Sequence, residues 1–291
     1  MKDYKLFMDV SGDIDGEFAT ENDIKFVPMD FIIDGEVQQY TADENGFDLK
    51  TFYDNIKSKK VIKTTQINPT FYEEFFRQYL ASGQSVLYLC LSSGLSSTFN
   101  SAVIASENLK KEFPNAVFLP VDTLLATAPM GLLAERMVAN KKSGMTIEEN
   151  ANDLNDIKHQ ISGYVMVDDL DSLKRGGRIS SAVAFFGSVL GIKPIVELSE
   201  GTLSMMDKQK GVKRAITKMS EIFRARHDFT ISNTVYIVDA FKDENAIMLE
   251  QLVKEIDPSS LIKRVKLSPI IGAHLGSGAV AMTYFGKGQT K

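Results

Sequence analysis

A short, continuous apolar segment constrains the fold more than any other feature of this sequence. Residues 86–91 (VLYLCL) form an uninterrupted apolar run of strand length, and a polar loop at 92–97 separates it from a helical pattern. Such runs are typical of strands that helices cover on both faces in a parallel sheet. Ligand groups then gather at the carboxyl ends of the strands. The segment therefore predicts an α/β domain with polar, functional residues in this loop.

The first 155 residues are expected to form one domain in which strands alternate with helices. Asp34-Gly35 is a hairpin signal, and Asn68 followed by Pro69 suits the cap and first turn of a helix. This pattern predicts an N-terminal α/β domain with a parallel sheet. The expected elements include strands over 26–33 and 36–40, a helix from Pro69 with a buried stripe of Phe71, Phe75, Phe76 and Tyr79, and a helix over 124–140 bent at Pro129.

Residues 156–291 are expected to form a second domain. Glu200-Gly201 separates two strand patterns and predicts another hairpin, and an amphipathic helix pattern follows at 212–226. Residues 181–190 predict an apolar helix. Hairpins mixed with helices favour an α+β domain, so the fold class is α/β with an α+β C-terminal part.

The composition excludes several classes of protein. Hydrophobic residues make up 44% and charged residues 24%, which is typical of a globular protein. A membrane-spanning helix needs about 20 apolar residues, and the sequence has no such run. The N-terminus lacks the pattern of a signal peptide, so we expect a cytoplasmic protein. The net charge of −5, without a long basic block, argues against nucleic acid as a partner. The lone Cys90 lies in the apolar run and is expected to be buried.

Neither a metal ion nor a cofactor is expected. The three histidines do not have the spacing of a zinc site, and no phosphate-binding GxxxxGK[ST] loop is present. Asp168, Asp169 and Asp171 form an acidic cluster that suits a metal. The alternative, which we favour, is that they cap the following helix and pair with Arg175 or Arg178.

Four polar clusters carry the candidate chemistry. Hydroxyls and free N–H groups near helix N-termini suit an anion, although capping and turn formation explain each loop equally well when it is considered alone. The sequence does not show that the clusters converge. They are residues 63–66, 92–98, 175–178 and 273–278.

A serine esterase or thioesterase is the main alternative function. Ser96, Asp122 and His274 follow the chain order of the α/β-hydrolase triad. Thr98, however, stands where the second glycine of the G-x-S-x-G elbow belongs, and the strained elbow needs a small residue there.

Six motifs in order make the chain resemble the DegV family over nearly its whole length. They are TTQ at 64–66, LSSGLSSTFNSA at 91–102, VDT at 121–123, LKRGGRIS at 173–180, IKPI at 192–195 and HLGSGA at 274–279. The resemblance implies a fatty-acid-binding protein of two domains, with the acyl chain between them. The best understood members are binding subunits of bacterial fatty acid kinase. They present a long-chain fatty acid to a separate ATP-using catalytic subunit, which makes an acyl phosphate for phospholipid synthesis.

The resemblance also assigns candidate residues. Thr64, Thr65, Ser96 and His274 match positions that hold the carboxylate, and no residue is expected to be catalytic in this chain alone. Lys210 stands where several members carry an arginine linked to the kinase, and Arg178 is a further candidate for kinase docking or phosphate contact. A lipid sensor without a kinase partner is the other alternative. The expected walls of the acyl tunnel are Phe185, Phe186, Val189 and Leu190.

Overall fold

The computed structural model describes residues 3–42, 47–168, 170–179 and 191–287. The first-half strands are β1 (Tyr4–Asp9), β2 (Ile24–Val27), β3 (Met29–Ile33), β4 (Glu36–Tyr40), β5 (Ile62–Thr64), β6 (Ser85–Cys90) and β7 (Phe118–Asp122). The helices among and after them are α1 (Gly16–Glu21), α2 (Leu49–Lys57), α3 (Pro69–Ala81), α4 (Thr98–Glu112), α5 (Ala128–Lys142) and α6 (Ile147–Ile157). The second-half strands are β8 (Ile161–Met166), β9 (Ile192–Ser199), β10 (Thr202–Lys210), β11 (Thr234–Asp239), β12 (Leu261–Lys266) and β13 (Val280–Phe285). The helices of the second half are α7 (Asp171–Gly176), α8 (Val212–Arg226), α9 (Asp243–Ile256) and α10 (Pro269–Leu275).

A parallel sheet of order β2-β1-β6-β7 forms the centre of the N-terminal half. β6 lies between β1 and β7 and is buried at every position, as the apolar run at 86–91 predicts. Cys90 ends this strand as a free, buried thiol. The loops after β1, β6 and β7 therefore share one edge of the sheet, where ligand groups are expected.

Residues 26–33 do not form the single strand that the sequence predicts. β2 belongs to the parallel sheet, whereas β3 pairs with β4 and β5 in a separate antiparallel sheet of order β4-β3-β5. Pro28 lies between the two strands, and proline cannot donate a ladder hydrogen bond. The hairpin at Asp34-Gly35 is confirmed.

A mixed sheet of order β10-β9-β8-β13-β11-β12 forms the C-terminal half. The β9–β10 hairpin and the helix over 212–226 are both present, which confirms the predicted α+β character. The sheet has one face against α8 and α9 and the other against the N-terminal half. The segment between the end of α6 and the start of β8 connects the N-terminal half to the C-terminal sheet. The boundary at 155/156 that the sequence predicts lies in the last turn of α6.

Two helices differ in detail from the sequence predictions. Asn68 caps α3 as expected, accepting a hydrogen bond from the N–H of Phe71 at 2.9 Å. The fully buried side chains of α3 are Tyr72, Phe76 and Leu80, while Phe71, Phe75 and Tyr79 are only partly buried. Pro129 does not bend α5 but lies in its first turn, because residues 124–127 form a loop. Among the described residues, no helix is both long and apolar enough to cross a bilayer.

Candidate functional site

An apolar cavity lies between the two halves of the molecule. Its empty volume, which includes solvent at its open end, is about 870 Å³. Leu91 and Pro129 line it from the N-terminal half, and Val165, Leu198 and Ile270 line it from the C-terminal half. An apolar ligand in this cavity would contact both halves.

Polar groups collect at one end of the cavity. Thr64, at the end of β5, places its Oγ1 atom 2.8 Å from Nε2 of His274, in the last turn of α10. These two residues are 210 positions apart in the sequence. Ser96 and Arg178 also border the cavity, and both of them, with Thr64, border a polar hollow at the surface. This end is therefore the mouth of the cavity.

The loop after β6 supplies the second hydroxyl of the mouth. Ser96 Oγ lies 2.8 Å from Oγ1 of the buried Thr98. The exposed Arg178 donates from Nε to the carbonyl of Leu95 at 3.1 Å, which ties the segment after α7 to this loop. A hydroxyl and a guanidinium thus lie in the same part of the mouth, a combination that suits a carboxylate or phosphate.

His274 is held as a neutral imidazole. Burial, together with the positive charge of Arg178, lowers the pKa of His274 to about 4. Its buried Nδ1 atom has no hydrogen-bond partner among the described residues, and it faces Gly176, where a Cβ atom would collide with it. Gly176 therefore allows the close approach of α7 to the imidazole. A neutral ring at physiological pH serves as a hydrogen-bonding group rather than as a fixed cation.

Asp13 connects two segments that line the cavity, Thr127 and the start of α10. This buried carboxylate accepts hydrogen bonds from the Thr127 hydroxyl and from the N–H of Ser268, at 3.0 Å for the latter. Ser268 is the N-cap of α10, which carries His274. Thr127 lines the cavity with a φ of 49°, an uncommon value for a β-branched residue. Burial raises the pKa of Asp13 to about 7.

The structure brings most of the predicted site residues together. Thr64, Thr65, Ser96, Arg178 and His274 all border the cavity. Thr65 is exposed, and its hydroxyl donates to the carbonyl of Asp30 at 3.2 Å. Lys210, at the end of β10, is also exposed and is absent from the described cavity lining. The tunnel candidates Phe185, Phe186, Val189 and Leu190 lie outside the described residues.

Two predictions about polar clusters are wrong in detail. His274 lies in a helix rather than in the predicted loop at 273–278. Asp168 pairs with Lys193 at 2.9 Å rather than with Arg175 or Arg178. Asp171 lies in the first turn of α7, and Asp169 lies outside the described residues. The described residues contain no group of acidic, histidine or cysteine side chains that would hold a metal ion.

A serine hydrolase triad is not assembled. His274 Nε2 contacts Thr64, and its Nδ1 has no partner in the part of the chain that the structure describes, so neither ring nitrogen bonds Ser96 or Asp122. The carboxylate of Asp122 instead accepts the N–H groups of Ser93 and Leu124, both at 3.1 Å. Asp122 therefore orders two loops and does not orient a catalytic histidine.

Several residues that form the site are missed by sequence reasoning. Asp13 and Thr127 show no pattern by themselves, and they meet only because the loops after β1 and β7 share an edge of the sheet. Ile270 and Ile271 line the cavity from α10, which the sequence patterns do not predict. Ser268 followed by Pro269 is the signal that would have placed this helix, since proline favours the first turn.

Comparisons with known proteins agree with this architecture. The model of the family described as "Uncharacterised protein, DegV family" matches residues 3–287. The chain belongs to the DegV family. A DegV domain-containing protein of Clostridium perfringens is 32% identical over 287 residues, covering 98% of each chain.

Solved structures of the DegV family share the fold. DegV of Bacillus subtilis, described as a fatty acid binding protein, matches with a TM-score of 0.83 and 26% identity, over 99% of this chain and 100% of that one. A DegV lipid binding protein of Thermotoga maritima matches with a TM-score of 0.85 and 25% identity over 100% of both chains. The family resemblance carried by the six motifs and the predicted fold class are both confirmed.

Proposed function

We propose that this protein binds a long-chain fatty acid, with the acyl chain in the cavity and the carboxylate at the mouth. One observation carries the proposal: an apolar cavity ends in a cluster of hydroxyl, imidazole and guanidinium groups. A fatty acid has the same division into one long apolar part and one anionic end. The fatty-acid and lipid binding described for the two related structures supports this choice.

The acyl chain supplies most of the affinity. Burying about 14 methylenes of a C16 chain at ~0.8 kcal/mol each gives roughly 11 kcal/mol as an upper bound. A hydrogen bond to a charged group contributes about 1.5–3 kcal/mol, and desolvation of the carboxylate offsets much of it. The head-group residues therefore select an acid and fix its orientation more than they strengthen binding.

Each head-group residue has a distinct role in the proposal. The hydroxyls of Thr64 and Ser96 donate hydrogen bonds to the carboxylate, and the hydroxyl of Thr65 does so once it turns away from the carbonyl of Asp30. His274 keeps the Thr64 hydroxyl in place and, as a neutral ring, donates through one nitrogen. Arg178 supplies a positive charge at the exposed rim of the mouth, where it balances the charge of the carboxylate. Because Arg178 is exposed, its charge is not left buried and unpaired when the cavity is empty.

Extraction of the purified protein tests the binding proposal. Native mass spectrometry should show a bound mass that denaturation releases, and lipid extraction should identify it as a fatty acid. Delipidated protein should rebind palmitate, and Ser96→Ala should weaken binding while Lys210→Ala, outside the described cavity lining, should not. A protein that never carries or binds a fatty acid would contradict the proposal.

We also propose that the protein presents the carboxylate to a separate ATP-dependent kinase subunit. The head-group residues border a surface hollow while the cavity behind them is apolar, so another enzyme can reach the carboxylate with the chain still bound. Arg178 and Lys210 are both exposed and are the candidates for kinase docking or phosphate contact.

Reconstitution with a candidate kinase subunit tests the presenting role. ATP-dependent acyl phosphate should form only when both proteins are present, and Lys210→Ala should reduce the rate without changing fatty acid affinity. Fatty acid binding without any acyl phosphate, and without capture of the kinase subunit in a pull-down, would favour a lipid sensor.

A further inference from the structure

The loop that carries Ser96 is held by a contact from the other half of the molecule. Ser92, the second residue after β6, is fully buried, and its hydroxyl donates to the carbonyl of Gly201 at 2.7 Å. Gly201 belongs to the turn between β9 and β10. The turn of this C-terminal hairpin therefore reaches the edge of the N-terminal sheet at which the loop after β6 begins.

Two glycines make this contact possible. A Cβ atom at Gly94 would lie 2.5 Å from the carbonyl oxygen of Gly201, and a Cβ atom at Gly201 would lie 2.8 Å from Oγ of Ser92. Gly201 also has a φ of 78°, which residues with a side chain rarely adopt. The main chains of the two halves thus approach so closely that a side chain at either glycine would push them apart.

Ser92 orders the whole turn that leads to Ser96. Its carbonyl accepts the N–H groups of Leu95 and Ser96, at 3.0 and 3.1 Å. Its hydroxyl oxygen accepts the N–H of Gly94 at 3.2 Å, and its own N–H donates to the carbonyl of Leu125 at 2.9 Å. The residue that bonds the C-terminal half therefore also fixes the main chain of Ser96.

The same hairpin forms a wall of the cavity. Leu198 in β9 and Leu203 in β10 are paired with each other, and both line the cavity. Ser96 borders this cavity at its mouth. The hairpin thus contacts the space for the acyl chain along its strands, and its turn contacts the loop that carries a head-group hydroxyl.

Ser92 does not itself contact this space. It is absent from the described lining of the cavity and from that of the surface hollow. A serine hydroxyl has one hydrogen to donate, and that of Ser92 is given to Gly201. An effect of Ser92 on the carboxylate must therefore pass through the position of Ser96.

We propose that Ser92 is a positioning residue, through which the turn at Gly201 sets the Ser96 hydroxyl for the carboxylate. This inference rests on the fatty-acid binding proposed above. The carboxylate site is then complete only when the two halves are docked at this turn. Loss of the Ser92 hydroxyl should lower the preference for an acid and leave the apolar cavity able to bind a neutral chain.

A double-mutant cycle of Ser92→Ala and Ser96→Ala tests the coupling. Ser96→Ala alone should weaken palmitate binding about tenfold or more, because a hydrogen bond to a charged group is lost. Ser92→Ala alone should weaken binding by a similar factor. In the Ser92→Ala background, Ser96→Ala should have little further effect, because substitutions that remove the same interaction are not additive. Calorimetry with the four delipidated proteins measures each Kd.

The affinity for hexadecanol separates positioning from general damage. Hexadecanol has the chain length of palmitate but no charge, so its binding depends mainly on the apolar cavity. Ser92→Ala should lower the ratio of palmitate affinity to hexadecanol affinity about tenfold. Ser85→Ala is the matched control, since Ser85 is buried at the opposite end of β6 and its hydroxyl accepts the N–H of Val117 at 3.1 Å. It should leave this ratio unchanged.

A second variant keeps the test independent of the alanine substitution. Ser92→Cys retains a side chain of similar shape with a weak donor, and it replaces Ser92→Ala in both measurements if that variant does not fold. It should lower the same affinity ratio, and an unchanged ratio in folded Ser92→Cys would overturn the proposal.

The outcomes separate this inference from the proposed function. Equal losses of palmitate and hexadecanol affinity in Ser92→Ala would overturn the positioning role, and so would additive effects of the two substitutions or an equal change in Ser85→Ala. Full palmitate affinity in Ser96→Ala would also overturn it, because Ser92 would then have no hydroxyl to position. A parent protein that binds no palmitate would instead contradict fatty-acid binding itself.

Discussion

Replacing Asp13 by Asn should change how the stability of this protein depends on pH. Asp13 is fully buried and accepts hydrogen bonds from the Thr127 hydroxyl and the Ser268 N–H. Asparagine keeps an oxygen for the Ser268 N–H, and its amide donates to Thr127 once that hydroxyl turns. The substitution therefore removes the titrating group and retains both contacts.

The magnitude follows from the pKa of Asp13. Burial raises the pKa of this carboxyl from 3.8 to about 7. The folded protein thus keeps the proton while the unfolded chain releases it between about pH 4 and pH 7, and stability falls as pH rises through this window. Each tenfold change in proton affinity is worth about 1.4 kcal/mol, so the full effect is about 4 kcal/mol. Asp13→Asn should match the parent protein near pH 4 and exceed its free energy of unfolding by up to about 4 kcal/mol near pH 8.

Urea unfolding at a series of pH values measures this difference. The chain contains no Trp, so far-ultraviolet circular dichroism is the suitable signal. Asp156→Asn, at an exposed position of α6, is the matched control for the same chemical change, and the pH dependence of Asp13→Asn is compared with it. If Asp13→Asn gives a difference from the parent that is flat with pH, or is less stable near pH 8, the account of a buried, protonated carboxyl is refuted.

Three further substitutions test the mouth and one helix cap. Thr64→Val removes the hydroxyl beside His274. Because a hydrogen bond to a charged group is worth about 1.5–3 kcal/mol, palmitate binding measured by calorimetry should weaken about tenfold or more. An unchanged Kd would show that Thr64 does not bind the carboxylate. Gly176→Ala places a Cβ atom against Nδ1 of His274 and should also lower the affinity for palmitate, because the ring must move. Unchanged affinity would show that the position of the His274 ring does not matter for binding. Asn68→Ala removes the side chain that caps α3 at the Phe71 N–H. It should lower the free energy of unfolding in urea by about 1 kcal/mol and leave the affinity for palmitate unchanged. A loss of affinity would show that this helix cap is coupled to the site.

Local signals in the sequence predicted local structure well. The central strand β6 follows from its continuous apolar run, and the start of α3 follows from Asn68 and Pro69, because neighbouring atoms decide both features. Pro129 shows where this reasoning stops. A proline inside a helix removes one hydrogen bond and bends the helix, whereas in the first turn it removes none. The sequence does not show where this helix begins, and the structure begins it at Ala128, after Thr127, whose hydroxyl bonds Asp13 from 114 residues away.

The site could be predicted as a set of motifs but not as an arrangement. Thr64 and His274 each belong to a motif, yet their contact spans 210 residues and depends on how α10 packs. Gly163 lies in no motif, and Pro129 packs where its side chain would be, with Cγ 2.9 Å from the place of a Cβ atom. The sequence therefore indicated the chemistry of the mouth, whereas the cavity behind it became visible only in the packing of the two halves.

A crystal structure with a fatty acid that carries bromine on its terminal carbon tests the central claim most directly. The carboxylate should lie within hydrogen-bonding distance of Thr64 and Ser96, and the anomalous signal of bromine should lie inside the apolar cavity, away from these hydroxyls. A ligand bound in the reverse direction, or an empty cavity with the acid bound elsewhere, would contradict the account.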